Sequence, residues 1–258
     1  LPDDIKYDAG GHILPHTDEA QQKHLKLIAK NIGLSNPSVC FIEEMGSIDA
    51  VNFIRDEISN LYGIQYNTQY SNNDQGFQGI GILIQTWIND YNVIELLDFG
   101  YHRAFGIRIN KSFFNKIFQK INIVPQLPVS DLIIIGVHTK SLCGNYKRSL
   151  EIQEKQADVI TNYFNNETST PIILVGDFNN TPDSDPIKKI AAFENKNKEK
   201  LVDLLSSNYF CENITHTMST QFSETKSSRI DYIWCNETFA TFACKSVQII
   251  EFQRLSKI

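Results

Sequence analysis

Two short, almost uninterrupted apolar runs constrain this chain most: DLIIIGVH (131–138) and PIILV (171–175). Runs of that length and β-branched content read as strands buried on both faces. The residues between them change period. Over 149–164, Ile152, Ala157, Ile160 and Tyr163/Phe164 fall on one apolar helical face. Strand, helix and strand in that order indicate an α/β architecture with a largely buried mixed sheet.

Other segments extend the pattern. DEAQQKHLKLIAKNIG (18–33) reads as an amphipathic helix through Ala20, His24, Leu25, Ile28 and Ile32, with Gly33 at its stop. SVCFI (38–42) reads as a buried strand and 47–61 as a helix through Val51, Ile54, Ile58 and Leu61. GFQGIGILIQ (76–85) is strand-like, its glycines suggesting a bulge or a close backbone approach. VIELLDF (93–99) and RAFGIRI (103–109) follow as strands, and FFNKIF (113–118) as a helix with a buried face. Helices are expected near 184–193 and 198–206, and strands near 230–235 and 240–251.

At 258 residues, 41% hydrophobic and 21% charged, the chain has room for one large α/β domain or two small ones. No run approaches the roughly 18 consecutive apolar residues of a membrane span. Leu1-Pro2-Asp3-Asp4 has neither a basic segment nor an apolar core, so no secretory signal is expected, although the start reads as trimmed. The compartment is left open. Five dispersed cysteines (Cys40, Cys143, Cys211, Cys235, Cys244) argue against a disulfide framework and a structural zinc site. A net charge of −6 supplies no global field for polyanions, so a phosphate-bearing partner would need local cations or a metal ion.

Four strands end in polar residues. SVCFI runs into Glu43-Glu44, DLIIIGV into His138-Thr139-Lys140-Ser141, and PIILV into Gly176-Asp177-Phe178-Asn179. RIDYIW (229–234) carries Asp231 inside an apolar run. Each alone has a plain structural reading: a solvated acidic pair, a polar strand tip, a turn built on Asp and Asn, and an Arg229–Asp231 salt bridge. Together they could converge at one sheet edge, where open α/β folds bind ligands. A carboxylate such as Glu44 is a hard oxygen ligand suited to Mg²⁺. His, Lys, Ser and Asn supply donors for a phosphoryl transition state, and an Asp can orient or deprotonate a water. The set contains what metal-assisted phosphoester hydrolysis needs.

The order and wording of these motifs resemble the endonuclease/exonuclease/phosphatase superfamily. PSVCFIEE (37–44) is similar to its strand ending in Leu-Gln-Glu, and GVHTKS (136–141) to its His-Leu-Lys-Ser segment. RSLEIQEKQA (148–157) is similar to the Arg-rich helix that follows, with Glu154 or Lys155 in place of a second Arg. GDFNNTPDSDP (176–186) is the most specific match and RIDYIW the next. The resemblance implies an α/β four-layer sandwich, two mixed β-sheets flanked by helices, as a single domain over 1–258. It implies Glu44 as ligand to Mg²⁺ or Mn²⁺, Asp177 as the group that orients or activates water, and Asn179 and His138 as phosphate holders. Asp231 would pair with a second His from a Ser-Asp-His segment. That segment is expected after Ile258, and a first strand with a metal-binding Asn before Leu1; a degenerate, non-catalytic member is the alternative.

The leading expectation is a divalent-metal-dependent nuclease acting as a monomer on DNA or RNA. Lys140, Ser141, Tyr146, Arg148 and Arg229 are its candidate substrate contacts. A solvated loop is the equally weighted reading of KSLCGNYKRS (140–149). A phosphatase or phospholipase-like enzyme acting on an inositol phosphate or a sphingomyelin-type substrate is the alternative within enzymes. A binding module that kept the fold is the alternative outside them.

Overall fold

The computed structural model describes residues 18–71, 79–96, 99–100, 103–121, 130–142, 144–167, 170–204 and 230–243. The protein has two β-sheets with helices, as expected of the α/β class. The chain divides into two compact units, residues 1–89 with 142–149, and residues 90–141 with 150–258.

The first unit holds α1 (Asp18–Ser35), β1 (Val39–Met45), α2 (Ile48–Tyr62), β2 (Tyr66–Tyr70) and β3 (Gly79–Gln85). Its sheet, in the order β1-β3-β2, is antiparallel throughout. Ala29, Ile32, Val51, Ile54, Ile58 and Leu83 form the core between helices and sheet. Ser47 caps α2 by accepting from the Ala50 amide at 3.2 Å, satisfying one of the orphan donors at the helix start. Gly81 shows why β3 is rich in glycine. A Cβ there would stand 2.5 Å from Cγ2 of Val51, so α2 packs onto bare backbone. Gly33 does not end α1, which continues to Ser35. Its lack of a side chain instead admits the Tyr62 ring, 2.2 Å from where a Cβ would lie. The strand β2, reading YNTQY, was not anticipated; its mixed polarity carries no apolar run.

The second unit holds β4 (Tyr91–Glu95), β5 (Arg103–Ile109), α3 (Lys111–Ile121), β6 (Leu132–His138), α4 (Tyr146–Asn166, whose first turn belongs to the first unit), β7 (Ile172–Asp177), α5 (Asp185–Ala192), β8 (Leu201–Asp203), β9 (Asp231–Asn236) and α6 (Glu237–Ala243). Its six strands run β4-β5-β6-β7-β9-β8, with β6 and β7 parallel and the other pairs antiparallel. One face of this sheet, bearing Ala104, Ile135, Val137, Leu174 and Tyr232, packs on Ala157, Ile160 and Phe164 of α4 and Ile187 and Ile190 of α5.

Two expected elements differ. The helix expected near 198–206 is instead the strand β8 over 201–203, pairing Leu201 with Asn236 and Asp203 with Trp234; sheet pairing and burial of Leu201 outweigh local spacing. The strand expected over 240–251 begins inside α6, where Ala240 packs against Leu204 and Cys235. Its remainder lies outside the described residues. Of the FFNKIF segment in α3, Phe113 is buried and Phe114 half-buried; the side chains of residues 117 and 118 lie outside the described residues.

Candidate active site

The six-stranded sheet brings four polar residues onto one rung. Arg103 opens β5 directly opposite His138, the last residue of β6. The parallel register of β6 and β7 pairs Gly136 with Val175, so two residues on His138 stands beside Asp177. The Thr139 amide donates to the Asp177 carbonyl at 3.0 Å, carrying the register past the strand end. Asp177 is then the direct partner of Asp231, the first residue of β9. Partner positions project from the same face, here the one opposite the α4 and α5 packing. The rung therefore reads Arg103, His138, Asp177, Asp231 across four adjacent strands.

Asn179 closes the end of β7. Its amide donates to Asp177 Oδ1 at 2.6 Å, and its side-chain Nδ2 donates to the Thr139 carbonyl at 3.0 Å. Asn179 takes a left-handed backbone, φ 49°. Turn chemistry and site chemistry thus coincide: the Asx turn that ends the strand also fixes one oxygen of the Asp177 carboxylate. The carboxamide keeps a second N–H for a ligand.

Of the other expected contacts, Lys140 and Ser141 lie two and three residues past His138, and Lys140 Nζ donates to the Ser141 carbonyl at 3.0 Å. Tyr146 and Arg148 are exposed on the first turn of α4, in the first unit. Arg229 lies outside the described residues. Glu44 also belongs to the first unit. There β1 carries a bulge, since Ile42 pairs with Gly81 but Met45 with Gly79. Glu44 sits in it with a φ of 58°, exposed. Bulges re-aim side chains and recur beside active sites, and a glutamate at positive φ is uncommon.

Sequence reasoning missed Arg103, whose side chain is only 13% exposed and pairs with Glu95 at 3.3 Å. The signal was present but mirrored. Where β5 runs antiparallel to β6, this sheet edge falls at a strand start rather than a strand end. Gln153 and Gln156 of α4 were also missed. Both are buried and bonded to Lys140 in the loop that follows β6, and Gln153 also to Asn179 in the loop that follows β7.

A divalent cation fits the donors by their chemistry. Asp177 and Asp231 are hard oxygen donors on one edge, and Glu43 and Glu44 present carboxylates at the β1 bulge. Among the described residues no three His, Cys, Asp or Glu side chains form a cluster that could hold a metal ion. Mg²⁺ needs no such cage, because one or two carboxylates with waters and phosphate oxygens complete its shell. Among the described residues no helix is long and apolar enough to cross a membrane.

The Endonuclease/Exonuclease/phosphatase family model matches residues 10–251. No curated protein matches the chain in sequence. Solved structures share its fold. D. rerio TDP2 humanized by 14 mutations is 14% identical with a TM-score of 0.59, over 85% of this chain and 78% of that one. An endonuclease/exonuclease/phosphatase from Bacteroides vulgatus is 14% identical with a TM-score of 0.59, over 90% and 84%. The human Nocturnin catalytic domain, with bound sulfate, is 16% identical with a TM-score of 0.56, over 86% and 76%. A pattern running from residue 10 to residue 251 and a fold held in common agree: this chain belongs to the Endonuclease/Exonuclease/phosphatase family, whose members are phosphoester hydrolases that generally use divalent metals.

Proposed function

We propose that this chain is a divalent-metal-dependent phosphodiester hydrolase of the nuclease type, acting on DNA or RNA. The rung of Arg103, His138, Asp177 and Asp231 carries the reading. Asp177, its carboxylate aimed by the Asn179 amide, orients an attacking water and takes its proton. His138 and the second Asn179 amide N–H hold phosphoryl oxygens as charge builds on them. Asp231, one strand further, is proposed to orient the second His of the Ser-Asp-His kind that the family pattern pairs with it. Glu44 is the proposed ligand to Mg²⁺ or Mn²⁺, supported by its bulge and left-handed backbone. When bound, the metal supplies Lewis-acid polarisation of the phosphoryl group.

Nucleic acid is favoured by the first turn of α4, where Tyr146 is 60% exposed between exposed Asn145 and exposed Lys147 and Arg148. An exposed ring among cations gives a base something to stack on and the backbone something to pair with. Lys140, Ser141 and Arg229 are proposed as further contacts. A second reading, a phosphatase on a small phosphoester, has support in the fold's use by a Bacteroides thetaiotaomicron mannosyl-6-phosphatase, 13% identical with a TM-score of 0.54. A lipid substrate has less support, because Phe113 of the FFNKIF segment is buried.

The test is hydrolysis of plasmid DNA, RNA, abasic DNA, sphingomyelin and inositol phosphates under Mg²⁺ and Mn²⁺, beside an Asp177→Ala variant. Cleavage of DNA or RNA that is lost in the variant supports the proposal. Turnover confined to inositol phosphates moves the assignment to a phosphatase. No turnover of any substrate leaves a binding module, and activity surviving in Asp177→Ala refutes that residue's role.

A further inference from the structure

Two glutamines on α4 hold both loops of the site. Gln153 and Gln156 lie one turn apart and are 2% and 1% exposed. Gln153 Nε2 donates to the Lys140 carbonyl at 2.5 Å and to the Asn179 carbonyl at 3.3 Å, while its Oε1 accepts from Asn180 Nδ2 at 2.7 Å. Gln156 Oε1 accepts from the Lys140 amide at 3.0 Å, and its Nε2 donates to the Phe99 carbonyl at 2.9 Å. One side chain therefore spans the loop after β6 and the loop after β7.

Burying two carboxamides costs free energy unless their groups are met, and an aliphatic side chain would fill the same helix face without that requirement. Three of the five bonds that meet these two go to the backbone of Lys140 and Asn179, each two residues past His138 or Asp177; the Asn180 side chain and the Phe99 carbonyl take the others. The geometry at Asn179 shows what depends on them. Its left-handed backbone is one that Asn adopts readily in a turn, and neighbouring groups hold it in place here. Three bonds do so: its amide to Asp177, its side chain to Thr139 and its carbonyl from Gln153.

We infer that Gln153 is a positioning residue of the site. It fixes the Asn179 peptide, and through the Asn179 amide the direction of the Asp177 carboxylate, while tying Lys140 to the same point. The role assigned to the positioned groups rests on the proposed hydrolase activity; the positioning itself does not.

The experiment compares Gln153→Met and Gln153→Glu with wild type in the full chain, using bis-p-nitrophenyl phosphate with Mn²⁺ and amide hydrogen exchange. Gln153→Met keeps the length and loses every bond, so kcat falls about 100-fold, the loss that misplacement of reacting groups on the order of 1 Å brings. Gln153→Glu keeps the acceptor for Asn180 and loses the donor. Its activity relative to wild type rises as pH falls and the buried carboxyl regains a proton to donate. A purely structural role would move melting temperature and leave that ratio flat. A Gln153→Met kcat within about threefold of wild type, against the loss expected of a misplaced group, overturns the inference, as does a flat ratio. If wild type turns over no phosphoester, the hydrolase reading fails and exchange decides. Opening of about tenfold at the Asn179 and Lys140 amides in Gln153→Met, with Leu83 of the first unit unchanged, supports positioning. Unchanged exchange overturns it.

Discussion

Asp177 and Asp231 are direct partners across the antiparallel pair β7–β9, two carboxylates side by side on one face of the sheet. Like charges directly opposite on a sheet destabilise it, and a scaffold has no need of such a pair. Asp231→Asn is therefore expected to separate stability from activity. Chemical denaturation should show the variant more stable by about 0.5 kcal/mol, the scale of one cross-strand pair. Phosphodiester hydrolysis should fall by about 10²-fold or more, the contribution of a positioned acid–base group. Loss of both stability and activity would make Asp231 a structural anchor.

Arg103 stands opposite His138 and is held by Glu95 at 3.3 Å, largely out of solvent. A fixed guanidinium on the rung complements an anionic substrate in a way a flexible ammonium does not. Arg103→Gln is expected to raise KM for a phosphodiester about tenfold, the effect of one charge-assisted contact at roughly 1.5 kcal/mol. Arg103→Lys should recover part of it. Steady-state kinetics check this, and an unchanged KM in Arg103→Gln removes Arg103 from the site.

Much of this was legible beforehand for a physical reason. DLIIIGVH and PIILV are the two central strands of the six-stranded sheet, their apolar runs are continuous, and the polar residues that end them stand out. Edge elements carry no such contrast. YNTQY lies at one edge of its sheet and LVD at the edge of the other, and pairing rather than composition makes each a strand. Gln153 was hidden because a buried glutamine on a helix looks like an exposed one until its partners, 13 and 26 residues away in sequence, are in place. The rung itself is a property of register, which no single segment contains.

Cys40 tests the first unit separately. Burial pushes its thiol up to about 12, and Sγ contacts the Phe41 carbonyl at 3.7 Å. The reactive thiolate is then scarce at any ordinary pH. Native protein treated with iodoacetamide at pH 8 is expected to leave Cys40 unmodified, as well as the fully buried Cys235, with both labelled once denaturant is added. Peptide mass mapping reads the result. Cys40 is half-buried, so labelling of the native thiol at the rate of a free thiol would contradict its raised pKa rather than its packing.

Asp90 gives the second unit a pH signature. The Asn110 carboxamide, at 2.6 Å, and then the Ser112 hydroxyl hold its carboxyl below the usual aspartate range, with Lys116 at 3.9 Å adding to them. A depressed folded value means stability that is present above the unfolded value of about 3.9 and lost as pH falls through the folded one. Wild type should melt above Asp90→Ala at neutral pH, and the gap should close on acidification below about pH 4. A gap that widens in acid would show the sign to be wrong.

Glu44 combines a left-handed backbone with a proposed role as metal ligand. Besides Asn36, Asn179 and Lys198, it is the only described non-glycine residue at positive φ, and its bulge on β1 gives it no turn chemistry to excuse the cost. A left-handed non-glycine residue costs about 1–2 kcal/mol, and such strain persists where a side chain is needed. Glu44→Gly should thus stabilise the protein by about 1 kcal/mol while removing the proposed ligand. Mg²⁺ that binds only the folded state raises the melting temperature by mass action. That rise is expected in wild type and absent in Glu44→Gly. Glu44→Gln should lose the rise as well without gaining the stability, because it keeps the strained backbone and gives up the charge. A Mg²⁺ response intact in both variants would place the metal on the Asp177 and Asp231 edge alone.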